Sequence, residues 1–475
     1  MLLLLLFAYF AHNATQALTI PLEREYRSDT LFPRLGDQYF DDRTVWSIVW
    51  SCLATLFACS WVAVHPNVPR ATDSGALILG RRLAMMGYML LAPEVVILWA
   101  ARQFFIAKEI TVEHQGKGAQ PTAIYQICDS PVTIAREWTK AHGFFVIMGG
   151  FALHDADKSF LRVLDENTLK ELDKEGEIEW PTITEKEIQD RSKADIFSKG
   201  IVLVQTTWFI VQCVSRFATK LAVTELEVVT LAFAVLNGIT YWLWWDKPSD
   251  VRCAVPVYLK SAGKSSNSKV FKARRQRDTS ISPSTKGFFS SLVVSFRDRR
   301  NKHGLILAIL YTLFWVPIRV TIINPLEEVG SGEIPENDVT RVPTFYSPIE
   351  KKVLGVRPTF WALLGVTALF GAIHFIPWSF IFPTTAERWL WRISAILITC
   401  GPLLFVFLSL IIFWFTDSIL ENSISKALFI LVYSILIAAY IISRIILLVL
   451  PLMLLRNLPP TALHELKWSE FFPHI

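Results

Sequence analysis

About eight separate apolar runs, each long enough to cross a bilayer, take up much of the 475-residue chain. They are Val45–Val64, Leu83–Ala107, Ile201–Val223, Leu226–Trp245, Leu305–Ile323, Phe360–Phe382, Ile393–Phe415 and Ala427–Leu455. Some 20 apolar residues at about 1.5 Å rise per residue match a hydrocarbon core of about 30 Å. Backbone amides and carbonyls find no water there, so each run is expected to be a helix that satisfies its own hydrogen bonds. The expected fold class is an all-α membrane protein: a multi-pass helical bundle of about eight transmembrane helices with a small extramembrane α or α+β region. The membrane stands in for the core that a soluble chain of this length would divide among two or three domains.

The segments between the runs set the organisation. Residues 1–17 read as a signal peptide: Met1–Phe10 is apolar but too short to span, and Ala17 is a small residue at the cleavage position. An uncleaved interfacial N-terminus is the alternative. Residues 18–44 form a short lumenal or extracellular segment. Residues 45–108 hold a first transmembrane pair, with Pro93-Glu94 in the middle of its second helix. Residues 109–198 are extramembrane and acidic, with 17 Asp/Glu against 10 Lys/Arg. Residues 199–246 form a transmembrane hairpin. The loop 247–303 is basic, with 14 Lys/Arg against three Asp. Residues 304–455 supply four more helices, and 456–475 a tail whose end, Trp468–Ile475, suits the membrane interface.

Local signals refine this outline. Thr184–Glu187 and Thr224–Glu227 fit the capping box, in which a Thr hydroxyl and a Glu carboxylate satisfy amides at a helix start. Leu161, Leu164, Leu169 and Leu172 suggest one short amphipathic helix. Phe144–Leu153 fits a strand, a buried loop or a re-entrant segment.

Positive residues in short loops stay cytoplasmic, so the basic loop is assigned to the cytosol. That puts the acidic Pro325–Val356 loop outside, Arg388 and Arg392 inside, Asp417 and Glu421 outside, and Arg444 and Arg456 towards the inside. The first half does not close on the same count. A cleaved signal followed by two spans and a hairpin would bring the basic loop out on the wrong side. One crossing is miscounted or the signal is not cleaved. Residues 109–198, which hold no Asn-x-Ser/Thr sequon, are placed in the cytosol with the basic loop.

Polar residues within the runs are the candidates for chemistry, because in lipid they turn inward and bond between helices. Gln205, Trp208, Gln212 and Arg216 form one stripe. Glu227, Thr230, Asn237 and Tyr241 form a second, and Thr367, Gly371, His374 and Trp378 a third. The stripes serve either as glue for the bundle or as the walls of a polar cavity. The candidate intramembrane polar site is Gln205, Gln212, Arg216, Glu225, Glu227, Asn237 and His374, with Arg216 expected to pair with Glu225 or Glu227.

No catalytic signature or nucleotide-binding loop stands out, and no cofactor is expected. His154–Asp157 is a weak metal candidate beside a solvated turn. The six cysteines are read as small buried hydrophobes. Beside membrane spans, the basic loop is read as binding anionic lipid rather than nucleic acid. Its segment Arg274–Ser280 is a kinase-target candidate, and Gly287–Phe296 an interfacial one.

Seven stretches carry a resemblance: Trp46–Pro69, His142–Phe151, Ile188–Lys199, Trp208–Glu227, Leu231–Val255, Gly371–Arg392 and Trp468–Ile475. In their order and wording the chain resembles a large family of fungal polytopic membrane proteins with no established activity. Pro377 departs from that pattern and puts regular helix geometry there in question. The resemblance implies a fungal source and a location in the secretory pathway or plasma membrane; it transfers no substrate. The leading expectation is a membrane protein that transports or senses a small molecule. The alternatives are a membrane-embedded enzyme acting on a lipid or terpenoid-like substrate, and a membrane scaffold.

Overall fold

The computed structural model describes residues 43–114, 124–127, 130–133, 138–155, 157–192, 196–260, 334, 340–348, 358–414 and 423–465. The signal-peptide region, Arg274–Ser280, Gly287–Phe296, Leu305–Ile323 and Trp468–Ile475 lie outside these residues. The chain divides into two compact units. One comprises residues 1–62, 200–238 and 365–475; the other comprises 63–199 and 239–364.

Among the described residues four helices are long and apolar enough to cross a membrane: Val45–Val62, Lys199–Ala218, Glu225–Leu243 and Leu431–Asn457. The first unit is built on them. Helix α1 (Val45–Phe57) starts at a Thr44 cap, whose hydroxyl accepts from the Ser47 amide, and ends in a π turn, Ala58–Val62. Helices α7 (Ile196–Ala218) and α8 (Glu225–Leu243) form the expected hairpin. Their connection ends in the expected capping box: the Thr224 amide and hydroxyl donate to Glu227 Oε2, and the Glu227 amide donates to Thr224 Oγ1. Helix α8 is the central one, with 78% of its span buried against 28% for each of the other three. On α7 the buried positions are Val202, Thr206, Phe209, Cys213 and Arg216, alternating steps of four and three. That stripe is rotated from the one read in the sequence, because Trp208 turns outward.

Helix α9 (Pro358–His374) is a shorter apolar helix, followed by a 3-10 turn at Ile376–Ser379. Pro377 lies in that turn, where its missing amide excludes a continued helix. Helices α10 (Thr385–Trp414) and α11 (Ser423–Leu454) pack as an antiparallel pair, with the Tyr433 hydroxyl on the Phe405 carbonyl. Gly371 permits the approach of α9 to α10, since a Cβ there would fall 2.1 Å from Thr399 Oγ1. A third capping box, Thr384 with Glu387, opens α10. A short helix α12 (Pro460–Leu463) closes the described chain.

The second unit is built of mostly shorter helices and a small sheet, and its pair Gly75–Leu91 and Pro93–His114 is apolar enough to cross a membrane only as a broken span or a re-entrant loop. Leu83–Ala107 is not one helix. It is split between α2 (Gly75–Leu91) and α3 (Pro93–His114), which meet at 109°. Pro93 is the cause: it disfavours helix for Ala92 and suits the first position of a new one. Helix α3 is a core helix, buried along most of its length, with Glu94, Arg102, Gln103, Thr111 and His114 among the buried residues. It packs on α4 (Lys140–Ile147), where Gly143 is required because a Cβ would meet the Ala107 carbonyl oxygen at 2.5 Å.

Phe144–Leu153 is thus the end of a helix running into a strand. A hairpin of β1 (Ile124–Ile127) and β2 (Ser130–Thr133) precedes α4. Strand β3 (Phe151–His154) lies centrally in a three-stranded sheet, antiparallel to β4 (Phe160–Val163) and parallel to β5 (Val255–Tyr258). The proposed leucine helix is half right. Leu169 and Leu172 lie on α5 (Glu166–Lys174), but Leu161 is in β4. Thr184 caps α6 (Glu185–Asp190) as expected. The β3–β5 pairing joins the acidic 109–198 region to the start of the basic loop.

Residues 340–348 also belong to this unit. Asn67 donates to the Pro343 carbonyl, Trp99 and Gln103 to that of Tyr346, and Arg102 to that of Pro348. The acidic 325–356 loop was expected opposite the basic one; its residues 343–348 instead bond to the same unit that holds Val255–Tyr258.

At the centre of these contacts sits Lys247, 1% exposed. Its Nζ donates to the His65 carbonyl and, at 2.9 Å, to Gln103 Oε1, and lies 4.5 and 4.6 Å from the ring centroids of Trp99 and Trp244. Neutral oxygens and indole faces hold it. Burial therefore carries its pKa well below the ordinary lysine value. The unfolded chain binds the proton more tightly, so stability at this site rises with pH up to about 10.4. Lys247→Met should remove that slope: detergent melting curves of the wild type should gain on the variant as pH rises through the alkaline range. Parallel pH profiles would show that Lys247 titrates normally.

Candidate functional site

A cavity of about 250 Å³ opens in the first unit. It is lined by Arg43, Ser47, Ile48 and Ser51 from α1 and its lead-in, Gln212 and Arg216 from α7, Glu227 from α8, and Glu465 beyond α12. Below it lies an apolar floor of Ile48, Cys52, Phe209, Cys213, Leu226 and Leu231, against which Ile373, Leu452 and Leu455 pack.

Glu227 organises the cavity wall. One carboxylate oxygen serves the Thr224 cap, and Arg43 grips the group in a fork, Nη1 to Oε1 at 2.6 Å and Nη2 to Oε2 at 3.1 Å. Planar two-point pairing of this kind is the strong geometry for an arginine and a carboxylate. Arg43 also donates through Nε to the Ala462 carbonyl, and through its backbone amide to that of Leu463.

Arg216 faces the interior, as its place in the sequence suggested, but Glu225 and Glu227 are not its hydrogen-bond partners. Its Nε and Nη2 donate to the Ala222 carbonyl, Nη2 also to Thr461 and Ala462, and Nη1 to His464. The physical reason is geometric. Helix α12 ends here with unsatisfied carbonyls, which a guanidinium fork can collect. Arg43 takes the carboxylate instead.

Of the seven candidate residues, the fold brings Gln212, Arg216 and Glu227 to one cavity. Gln205 lies apart and donates to Thr55 Oγ1 at 3.3 Å, linking α7 to α1. Glu225 is buried in the first turn of α8, where the amide ends favour a carboxylate. His374 is packed at the end of α9: its Nδ1 lies 2.8 Å from the Phe370 carbonyl oxygen, and its own carbonyl accepts from Trp391. Arg444 stacks on the Phe370 ring and donates to the Tyr440 hydroxyl.

Asn237 is fully buried on α8, one turn beyond Phe233, and its amide has no partner among the described residues. Phe233 touches Phe370 of α9, and Ile373 packs against the apolar cluster that includes Leu226 and Leu231. On α9, Thr367 lies one turn before Phe370 and is buried as well. Its hydroxyl is also unpartnered among the described residues.

Sequence reasoning missed Arg43, Ser47, Ser51 and Glu465. Arg43 stood at the edge of a segment assigned to a lumenal linker, and only its distance of 184 positions from Glu227 hid the pair. The cysteine reading holds for Cys52, Cys59 and Cys213, while Cys253 and Cys400 are exposed. Among the described residues no group of three or more His, Cys, Asp or Glu is placed to hold a metal ion.

The Arg43–Glu227 fork predicts the behaviour of variants. Removing one partner of a buried pair costs about 3–5 kcal/mol. Arg43→Glu should therefore lower the melting temperature in detergent sharply, and the exchange of Arg43→Glu with Glu227→Arg should recover only part. The exchanged arginine cannot serve the Thr224 cap. Full recovery would mean that the cap contributes nothing.

The chain belongs to a family of unknown function, DUF8562, whose model matches residues 38–264 and 356–475. No curated protein and no solved structure matches it.

Proposed function

We propose that this is a multi-pass membrane protein, of the fungal type its sequence resembles, that binds a small polar solute in the Arg43–Gln212–Glu227 cavity in order to transport or sense it. The observation that carries the reading is the cavity's division of labour. Arg216 is occupied by four carbonyls, and Arg43 and Glu227 hold each other. Among the described residues Gln212, Ser51 and Glu465 make no side-chain hydrogen bond within the wall, and they leave an amide, a hydroxyl and a carboxylate to meet a ligand. Those groups suit a solute that carries hydroxyl or amino groups. The buried polar line Glu227, Thr230, Asn237 along α8 supports passage or signalling beyond the cavity.

Among the described residues we read the membrane crossings as six: α1, α7, α8, α9, α10 and α11. Helices α2 and α3 then make none, which removes the miscount in the first half of the chain. Residues 63–198 and 244–260, joined by the β3–β5 pairing, share the cytosolic side with the basic loop. Arg43, the 219–224 turn and the 456–465 tail fall opposite. Every charge assignment made for the second half is thereby reversed: the 325–356 loop, Asp417 and Glu421 fall inside, and Arg388, Arg392, Arg444 and Arg456 fall outside or towards it. Arg456 is neutralised by Glu387, and Arg392 is bound to the Trp378 carbonyl and its ring, so neither is a free loop charge.

Two measurements test this. In sealed cells an impermeant maleimide should modify Lys220→Cys directly and Glu175→Cys only after permeabilisation. Modification of both from one side would end the six-crossing arrangement. For the cavity, purified full chain should be stabilised by a subset of polyols, sugars, amino acids or polyamines. The Gln212→Leu, Ser51→Ala double variant should lose that shift while melting normally. Stabilisation that survives the double variant would place binding elsewhere. Flux of the hit in reconstituted vesicles separates transport from sensing.

A further inference from the structure

Helix α2 presents a wholly apolar outward face. Leu77, Leu79 and Leu83 are about half exposed, and Ala76, Gly80 and Ala84 lie open beside them. Met85 and Met89 face the protein. The only charges on the helix are Arg81 and Arg82. Arg81 follows Leu77 by four positions and Arg82 follows Leu79 by three, so the two flank the apolar face rather than oppose it. They are anchored on the protein, Arg81 to Asp73 at 2.6 Å and Arg82 to Asp250 at 2.9 Å.

With 17 residues the helix is about 25 Å long, short of a ~30 Å core, and it turns by 109° from the buried α3. The first membrane span ends at Val62, 12 residues before the Ser74 cap. A cleft lies behind α2, between it and residues 66–69, 250–252 and 341–344. It is lined by Arg81, Arg82, Arg252, Arg341 and Asp250, with the Asp73 carboxylate held by Arg81 beside it.

We propose that α2 lies in the plane of the cytosolic leaflet with its leucine face in the acyl region, and that the four-arginine cleft takes the phosphate headgroup of an anionic lipid. The apolar face and the cationic cleft share one helix. That is the pattern of an in-plane amphipathic segment, whose binding combines buried apolar area with attraction to anionic headgroups. A flanking arginine can bury its stem against the acyl boundary while its head stays at the phosphate level. A soluble partner would account for the leucines but not for the arginines gathered at their flank. The site is distinct from the basic loop, and it names a bound lipid rather than a diffuse attraction. It rests on the membrane placement proposed above and is independent of the solute cavity.

The test uses full chain in nanodiscs of phosphatidylcholine with or without phosphatidylglycerol, in a background with Cys253 and Cys400 replaced by serine. A spin label at Leu83→Cys should be accessible to oxygen and shielded from a water-soluble nickel chelate. Native mass spectrometry should find phosphatidylglycerol retained over phosphatidylcholine. The Arg252→Gln, Arg341→Gln double variant, which leaves the two arginine–aspartate pairs of α2 intact, should lower that retention on the order of tenfold. Millimolar inorganic phosphate should not displace the lipid.

A label open to the nickel chelate would place the face in water, and a label shielded from both oxygen and the chelate would show that another segment or protein covers it; either result would overturn the proposal. So would equal retention of the two lipids, or displacement by inorganic phosphate, which would make the cleft a site for a soluble phosphate. A chain that left the nanodisc altogether would instead refute the membrane placement, and a failure of solute binding would touch neither.

Discussion

The capping carboxylate of Glu227 is the interaction on which the first unit depends. A glutamate at the start of the most buried helix is unfavourable unless its charge is met from more than one side. Here the amide and hydroxyl of Thr224 meet one oxygen, and the Arg43 fork meets both. The same arginine reaches the tail at Ala462 and Leu463. One carboxylate therefore fixes where α8 begins, where the chain enters α1 and where the tail returns. Glu387 repeats the device at α10, with Thr384 on one oxygen and Arg456 on the other. In both places a helix start, which local sequence can specify, is tied to an arginine distant in the chain.

The second unit solves the opposite problem with opposite means. Lys247 is a buried amine with three carbonyl-type acceptors, the third being Asn67 Oδ1 at 3.4 Å, and two indoles but no carboxylate at its head. A cation–π contact gains most where water is absent. His65 stacks on Trp244, Trp244 donates to Gln103, and Gln103 donates to the Tyr346 carbonyl. Four sequence-distant segments thus meet around one ammonium group. Replacing any acceptor leaves a charge with nowhere to go, so the arrangement specifies the packing more than it adds to stability.

The sequence displayed what is local. The α7–α8 hairpin, the capping boxes at Thr184 and Thr224, and the inward turn of Arg216, Asn237 and His374 all follow from spacing and composition. The Thr384 box had the same signature and was overlooked. What stayed hidden is of two kinds. Hydropathy cannot separate a membrane helix from a core helix, so α3 was merged with α2 although Pro93 stood between them and Arg102 and Gln103 lay within the run. Partners far apart in the chain leave no local trace. The β3–β5 pairing spans about a hundred positions, and the carbonyls that Arg216 collects lie near 461–464. Sequence could show that Arg216 needed a partner, but not that backbone carbonyls would serve.

That substitution bears on what the cavity can select. Had Arg216 paired with Glu227, both charges would have been available to exchange with a ligand. Instead Arg216 is committed to backbone oxygens that cannot change protonation, and Glu227 is committed to a cap and a fork. Neither can reorient without releasing the tail or unwinding the start of α8. A solute of the kind proposed would therefore meet a charged frame that is already satisfied, and its recognition would fall to Gln212, Ser51 and Glu465. Such a frame favours discrimination by shape and hydrogen-bond pattern over net charge. It also gives a route by which occupancy could be felt elsewhere: any ligand that draws Arg43 towards itself loosens, through Ala462 and Glu227, both the tail and the first turn of the central helix.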